Sequence, residues 1–125
     1  MKELTKAEEQ VMQILWKLKK GFVKDLLAEM TVPKPAYNTV STIIRILEKK
    51  GFVDHIAYGK THEYFPIIEK DKYKTFYLKN FVGNYFGGSF NNLVSFFAKS
   101  NDLSINEIEE LLKHIDANPN QNTDE

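Results

Sequence analysis

Three apolar runs at helical spacing, two alternating segments around a Gly-Lys pair, and an aromatic-rich helical stretch after them predict a mainly α chain with one small β-hairpin. The elements follow in order. Thr5 and Glu8 have capping-box spacing, in which the hydroxyl takes one free helical amide and the carboxylate reaches back to another. Leu4, Ala7, Val11, Ile14, Leu15 and Leu18 then recur at steps of three and four, and Lys19-Lys20-Gly21 supplies the cations and glycine of a helix end, giving a first helix over residues 6–19. After an extended Phe22, residues Leu26, Leu27 and Met30 give a short second helix, stopped by Thr31-Val32 and the turn Pro33-Lys34-Pro35. Pro35 suits the first turn of a third helix, on which Val40, Ile43, Ile44 and Leu47 fall at i, i+3, i+4 and i+7 before Lys49-Lys50-Gly51.

The period then changes from helical to alternating. Residues 52–58 and 61–65 flank Gly59-Lys60 and close at Pro66, which is a hairpin pattern. Tyr73, Phe76, Tyr77, Phe81 and Tyr85 sit at helical steps on a fourth helix ended by Gly87-Gly88. Ser89 is placed to cap a fifth, carrying Phe90, Leu93, Val94 and Phe97 and stopping near Ser100. A second capping box, Ser104 to Glu107, opens a sixth with Ile108, Leu111, Leu112 and Ile115.

Charge and composition divide the chain in the same place. Residues 1–65 hold eleven Lys/Arg against eight acids, whereas residues 66–125 hold six Lys against nine acids and six of the nine Phe. With 125 residues and no cysteine, thiolate metal sites, disulfides and cysteine nucleophiles are excluded by inventory. No apolar run is long enough to cross a bilayer and Met1 to Lys6 lack a signal-peptide core, so membrane insertion is not expected and a cytoplasmic location is.

Advancing about 100° per residue, Val40, Ile43, Ile44 and Leu47 make a buried stripe, and Asn38, Thr42, Arg45 and Lys49 fall opposite it with Ser41 on the shoulder. Asn pairs with adenine, Arg forks onto guanine, Thr touches a thymine methyl and Lys neutralises phosphate. The same face on an isolated helix would be read as simply solvated. Three helices followed at once by a hairpin with a Gly-Lys tip, however, is the order of a winged helix-turn-helix, in which the third helix enters the major groove of double-stranded DNA. The expected base-reading residues are Asn38, Thr39, Ser41, Thr42 and Arg45, with Lys34, Tyr37, Lys49 and the wing-tip Lys60 on the backbone.

The later helices carry more apolar surface than so small a unit buries alone, which points to a homodimer. The expected interface residues are Tyr73, Phe76, Tyr77, Phe81, Tyr85, Phe90, Phe97, Ile108, Leu111 and Leu112. The expected organisation is a DNA-binding domain over residues 1–67, a helical dimerisation region over 68–115 and a disordered tail over 116–125.

Leu4-Thr5-Lys6-Ala7-Glu8 with Val11-Met12 and Trp16, Ala36-Tyr37-Asn38-Thr39-Val40 with Thr42, Leu47 and Lys50-Gly51, and Gly59-Lys60 with Tyr64 and Pro66 together resemble the penicillinase-repressor family of winged-helix transcription repressors. Gly88-Ser89, Leu93-Val94, Leu103-Ser104 and Ile108 with Leu111 resemble that family's dimerisation region. The resemblance, over about residues 4 to 115, implies a homodimer that represses from a palindromic operator, such as that of a beta-lactam-resistance operon, and is relieved when a membrane-sensor protease system cleaves it. Three departures stand out. The family often has Arg at the position of Ile46 and usually Arg at that of Lys60. Where antibiotic-responsive members have an Asn-Phe cleavage pair this chain has Phe96-Phe97, its candidate cleavage site. The cysteine cluster of copper-responsive relatives is absent.

Other signals point elsewhere or nowhere. His55 and His62 flank the hairpin turn as prospective cross-strand neighbours near Asp54 and Glu63, but two surface histidines on a ribbon are expected to meet solvent or phosphate, and no metal or other cofactor is assigned. His114 is expected to be solvated near the last helix end. Gly87-Gly88-Ser89 lacks the lysine of a phosphate loop, and Trp16 is expected to pack as core. Adjacent carboxylates such as Glu8-Glu9 diverge on a helix, and no nucleophile–base pair is present, so the chain reads as a non-enzyme. Two alternatives remain: a winged-helix protein-interaction module without a DNA target, and a repressor answering to a small molecule lodged among the aromatics.

Overall fold

The computed structural model describes residues 1–100 together with 106, 107, 109 and 110. Its elements are α1 (Lys6–Leu18), α2 (Val23–Ala28), α3 (Tyr37–Lys49), β1 (Val53–Tyr58), β2 (Thr61–Pro66), α4 (Lys70–Phe86) and α5 (Phe90–Ser100). The mainly helical chain with one antiparallel hairpin is the fold class expected from the sequence, and α1 to β2 follow the winged-helix order. Among the described residues no helix is long and apolar enough to cross a membrane.

Local chemistry sets the boundaries. The Thr5 hydroxyl accepts the Glu8 N–H at 3.2 Å, and Glu8 accepts the Thr5 N–H at 3.0 Å, so the capping box closes α1. At the other end Lys19 takes the left-handed position (φ 74°) and donates its N–H to the Leu15 carbonyl at 2.7 Å. Gly21, the expected helix stop, does something else. It exchanges two backbone hydrogen bonds with Tyr64, at 2.9 and 2.8 Å, and so adds a one-residue rung to the hairpin. The expected helical role of Pro35 is also corrected: α3 starts at Tyr37 with Ala36 as N-cap, leaving Pro35 in the loop, where its missing N–H costs nothing.

The hairpin pairs Val53 with Pro66 through to Tyr58 with Thr61. Gly59 has φ +64° at the first of two loop residues, a turn whose twist matches that of paired strands. Phe52, fully buried, anchors the hairpin's base: its N–H donates to the Leu47 carbonyl at 2.9 Å, and its own carbonyl accepts the N–H groups of Ile67 and Ile68 at 2.8 and 3.2 Å.

Two compact units divide the chain after Tyr73. In the first, Val11, Met12, Leu15, Leu26, Val40, Ile44, Leu47 and Phe52 form the core, each contributing about 1.5–3 kcal/mol by leaving water. Tyr73 belongs to this core. It is 3% exposed, lies 5.7 Å from Phe52 and 6.1 Å from Trp16 between ring centroids, and accepts the Leu4 N–H at 2.9 Å. Its expected place in a dimer interface is therefore corrected, because its surface is spent within one chain. Trp16 packs here as expected and donates its indole N–H to the Ile68 carbonyl at 2.9 Å. The first unit accordingly runs past the expected boundary at residue 67.

In the second unit Gly87 and Gly88 (φ 59° and 80°) end α4, and the Ser89 hydroxyl caps α5 by accepting the Asn92 N–H at 3.2 Å. Val82 and Leu93 are buried. Phe81, Tyr85, Phe86, Phe96 and Phe97 form a chain of ring contacts with centroids 5.1–5.7 Å apart. The expected sixth helix lies mostly outside the described residues, which omit Ser104, Ile108, Leu111, Leu112, His114 and Ile115, as they do the expected tail. Asn106, Glu107, Glu109 and Glu110 are helical and exposed.

The buried Glu8 carboxylate also accepts a hydrogen bond from the Lys50 ammonium at 2.7 Å. Burial pushes its pKa up, but Lys50 and the Thr5 amide and hydroxyl pull it further down, so it sits below its usual 4.5. Its stabilisation is therefore complete above pH 4.5 and is lost as pH falls through the lower folded value. Replacing Glu8→Gln should cost about 1–3 kcal/mol in urea unfolding at neutral pH, a difference that shrinks towards zero on acidification.

Candidate nucleic-acid interface

The stripe that buries Val40, Ile44 and Leu47 turns the opposite side of α3 outward, and Asn38, Thr39, Thr42, Arg45 and Lys49 are all exposed. The Thr42 hydroxyl donates to the Asn38 carbonyl at 2.9 Å, which leaves this side chain an acceptor oxygen and a methyl group for recognition. Lys34 is exposed in the loop before α3, with its ammonium 3.4 Å from the Ala28 carbonyl at the end of α2. Lys60 is exposed at the hairpin tip.

Ser41 departs from the expected arrangement. It is 8% exposed, so it leaves the open face of α3 and lines a groove instead. This groove, about 460 Å³, runs between α3 (Tyr37, Asn38, Ser41, Arg45), the start of α2 (Phe22, Val23, Lys24) and the hairpin (Lys60, Thr61, His62, Tyr64). Lys24, Arg45 and Lys60 bring positive charge to its walls, and no Asp or Glu lines it. Among the expected contact residues, Tyr37, Asn38, Ser41, Arg45 and Lys60 meet here. Thr39, Thr42, Lys49 and Lys34 are not among its lining residues.

Lys24 and Thr61 are groove residues the sequence reading did not single out, and His62, expected to meet solvent or phosphate, lines the groove with them. Lys24 offered only one signal, a cation in the first turn of the helix preceding the recognition helix. Its position depends on the Gly21–Tyr64 bridge, which ties the chain just before α2 to β2. Asp25 completes that link by accepting the Phe22 N–H at 2.9 Å. A side chain at position 21 would bring its Cβ to 3.3 Å from that of Asp25, a tight contact that would require Asp25 to shift by a few tenths of an ångström.

Tyr64 closes the groove from the hairpin side and is 4% exposed. Burial pushes its phenol above the usual 10.0 and the Glu48 carboxylate adds to the rise, while the Arg45 guanidinium pulls the other way. Arg45, itself exposed, thus lies near enough to the Tyr64 hydroxyl to act on it.

A family model for the penicillinase repressor matches residues 4–117. The methicillin resistance regulatory protein MecI of Staphylococcus aureus strain N315 is 38% identical over 112 residues, covering 87% of this chain and 89% of that protein. The penicillinase repressor of Bacillus licheniformis is 26% identical over 120 residues, covering 95% and 94%. The solution structure of the DNA-binding domain of the repressor BlaI aligns at TM-score 0.48 and 27% identity, covering 56% of this chain and 90% of that one.

The phenol of Tyr64 supplies a check on the groove's construction. Because its folded pKa is raised, the stability it contributes is present below pH 10.0 and is lost as pH rises through the folded value. In an ultraviolet titration the Tyr64 phenol should contribute to a late phase, and the amplitude of that phase should fall in Tyr64→Phe.

Proposed function

Since the chain belongs to the penicillinase repressor family, we propose that it is a homodimeric transcriptional repressor that reads a palindromic operator through α3 and the hairpin wing. The observation carrying this reading is the exposed row Asn38, Thr42 and Arg45 beside a groove whose charged walls are all cationic. Asn38, Thr39, Thr42 and Arg45 read base edges, and Lys34, Tyr37, Lys49 and Lys60 hold the backbone. Lys24 joins the second group, across the groove from Lys60. Ser41, being buried, orients this surface from beneath. A repressor of this kind works in the cytoplasm and needs no catalytic group.

The dimer reading rests on the second unit. Tyr77, Tyr85 and Phe96 are 45%, 73% and 55% exposed, and Phe76, Phe81, Phe90 and Phe97 are half-buried, a concentration of aromatic surface that a second copy would cover. Two-fold pairing spaces two recognition helices by a turn of DNA or a multiple of it, and makes engagement of the second half-site effectively intramolecular. Phe96 and Phe97 lie within α5, so a cut between them by a sensor-controlled protease would split that helix, remove everything from Phe97 onward and release the operator.

Binding to DNA from upstream of candidate target genes, at two salt concentrations and against random competitor, tests the reading. Arg45→Ala should lose about 1–3 kcal/mol on the cognate operator and relax one base position, whereas Lys60→Ala should weaken all DNA alike and flatten the salt dependence. Equal losses for Arg45→Ala on operator and random DNA would remove it from the base-reading set. Truncation after Phe96 should yield monomers in sedimentation and a steep loss of operator affinity, and a truncated chain that still dimerises would overturn the proteolytic route.

A further inference from the structure

Where α3 gives way to the wing, three metal-binding side chains converge. Glu48 lies in the last turn of α3, and Asp54 and His55 in the first turn of the ladder on β1. One donor atom from each lies within 4.8 Å of the other two. The Nδ1 of His55 is 2.9 and 3.1 Å from the two Glu48 oxygens. This is hydrogen-bond spacing, a few tenths of an ångström short of the roughly 3.4 Å between adjacent ligands of a tetrahedral ion at about 2.1 Å, so a small opening of the pair admits one. Asp54 uses Oδ1 to accept the backbone N–H of His55 at 2.8 Å, which holds its carboxylate at the start of β1. Among the described residues Asp54 has no ion-pair partner, so one full negative charge of the cluster is uncompensated.

His62 does not complete the donor set. Cross-strand pairing places His55 opposite Tyr64 and His62 opposite Ala57, so the two histidines are diagonal and not direct neighbours. Their rings lie parallel, with centroids 4.0 Å apart and planes 6° apart. An ion held in the plane of the His55 ring is out of reach of the in-plane nitrogens of a ring stacked upon it. His62 is instead a positioning residue: it and Tyr64, 5.6 Å from His55 between centroids, hold the imidazole plane and so the direction of its lone pair.

We propose that Glu48, Asp54 and His55 form a binding site for a divalent first-row transition ion, with Zn²⁺ the best-matched probe. An imidazole with two carboxylates suits such an ion better than Mg²⁺ or Ca²⁺, which prefer all-oxygen shells. Three protein ligands leave coordination positions open to water. The ion ties the end of α3 to the start of β1 and fixes the angle between helix and wing. Its binding needs no DNA, so the site stands or falls separately from the repressor reading.

The full-length chain is titrated with Zn²⁺ by calorimetry and with Co²⁺ by visible absorption, without DNA. One ion per chain is expected, with a Zn²⁺-dependent rise in the thermal midpoint. Asp54→Asn and His55→Gln should each weaken binding by roughly tenfold or more. Glu63→Gln, paired with Ile56 and outside the donor cluster, should leave it unchanged. Asp54 is exposed, so Asp54→Asn should keep the metal-free thermal midpoint and separate loss of the ion from loss of the fold. Absence of uptake at micromolar Zn²⁺, or affinity undiminished in both Asp54→Asn and His55→Gln, overturns the proposal.

Discussion

One carboxylate holds the two ends of the helical layer in register. Glu8 closes the first turn of α1 and takes the ammonium of Lys50, the C-cap of α3, at 2.7 Å. Everything that follows α3 is placed from that point. Gly51 (φ +83°) turns the chain back, Phe52 drops into the core, and the carbonyl of Phe52 then receives the two amides beyond β2. The hairpin is thus fastened at both of its ends to one buried residue. The last turn of α3, which carries Lys49 on its open side, cannot move without moving the wing. A charged pair pays its desolvation only when further hydrogen bonds satisfy it, and here Thr5 supplies them.

The groove is a consequence of a second long-range link. Gly21 and Tyr64 are far apart in sequence, yet their paired backbone bonds bring the start of α2 against β2. Lys24 from one segment, Arg45 from another and Lys60 from a third then face a common space. No one of these segments is strongly basic alone. The surface gains its character from assembly, with acids such as Glu48 turned to the other side of Tyr64, where they raise its phenol and hold His55.

Much of this was legible in the residues. The capping box at Thr5, the i, i+3, i+4, i+7 stripe of α3, the Gly59-Lys60 tip and the Ser89 cap are local signals, written in a few residues and decided by backbone chemistry within a turn or two. What escaped was set by tertiary contact. The helix ends on a left-handed Lys19, while Gly21 pairs with the hairpin instead. Tyr73 sits on a helical stripe with Tyr77 and Tyr85, and only packing against Trp16 and Phe52 assigns it to the first unit's core. Ser41 is polar, so the helical wheel placed it with the readers, although the wheel's shoulder is where the hairpin closes over α3. Lys24 and Thr61 join the groove through that same closure.

The charge distribution constrains how such a protein can discriminate. Seventeen basic and seventeen acidic residues cancel, so the chain as a whole has no field with which to hold random DNA. Attraction to phosphate then comes from the few cations gathered at α3 and the wing, and it is small for one protomer. Under the repressor reading this is an advantage as well as a limit. Weak non-specific binding leaves base contacts on α3 with a larger share of the discrimination, and the shortfall in affinity is met by doubling the reader through the aromatic surface of the second unit. On that reading the two halves answer one requirement: a reader with only eleven cations against eight acids gains affinity by being doubled.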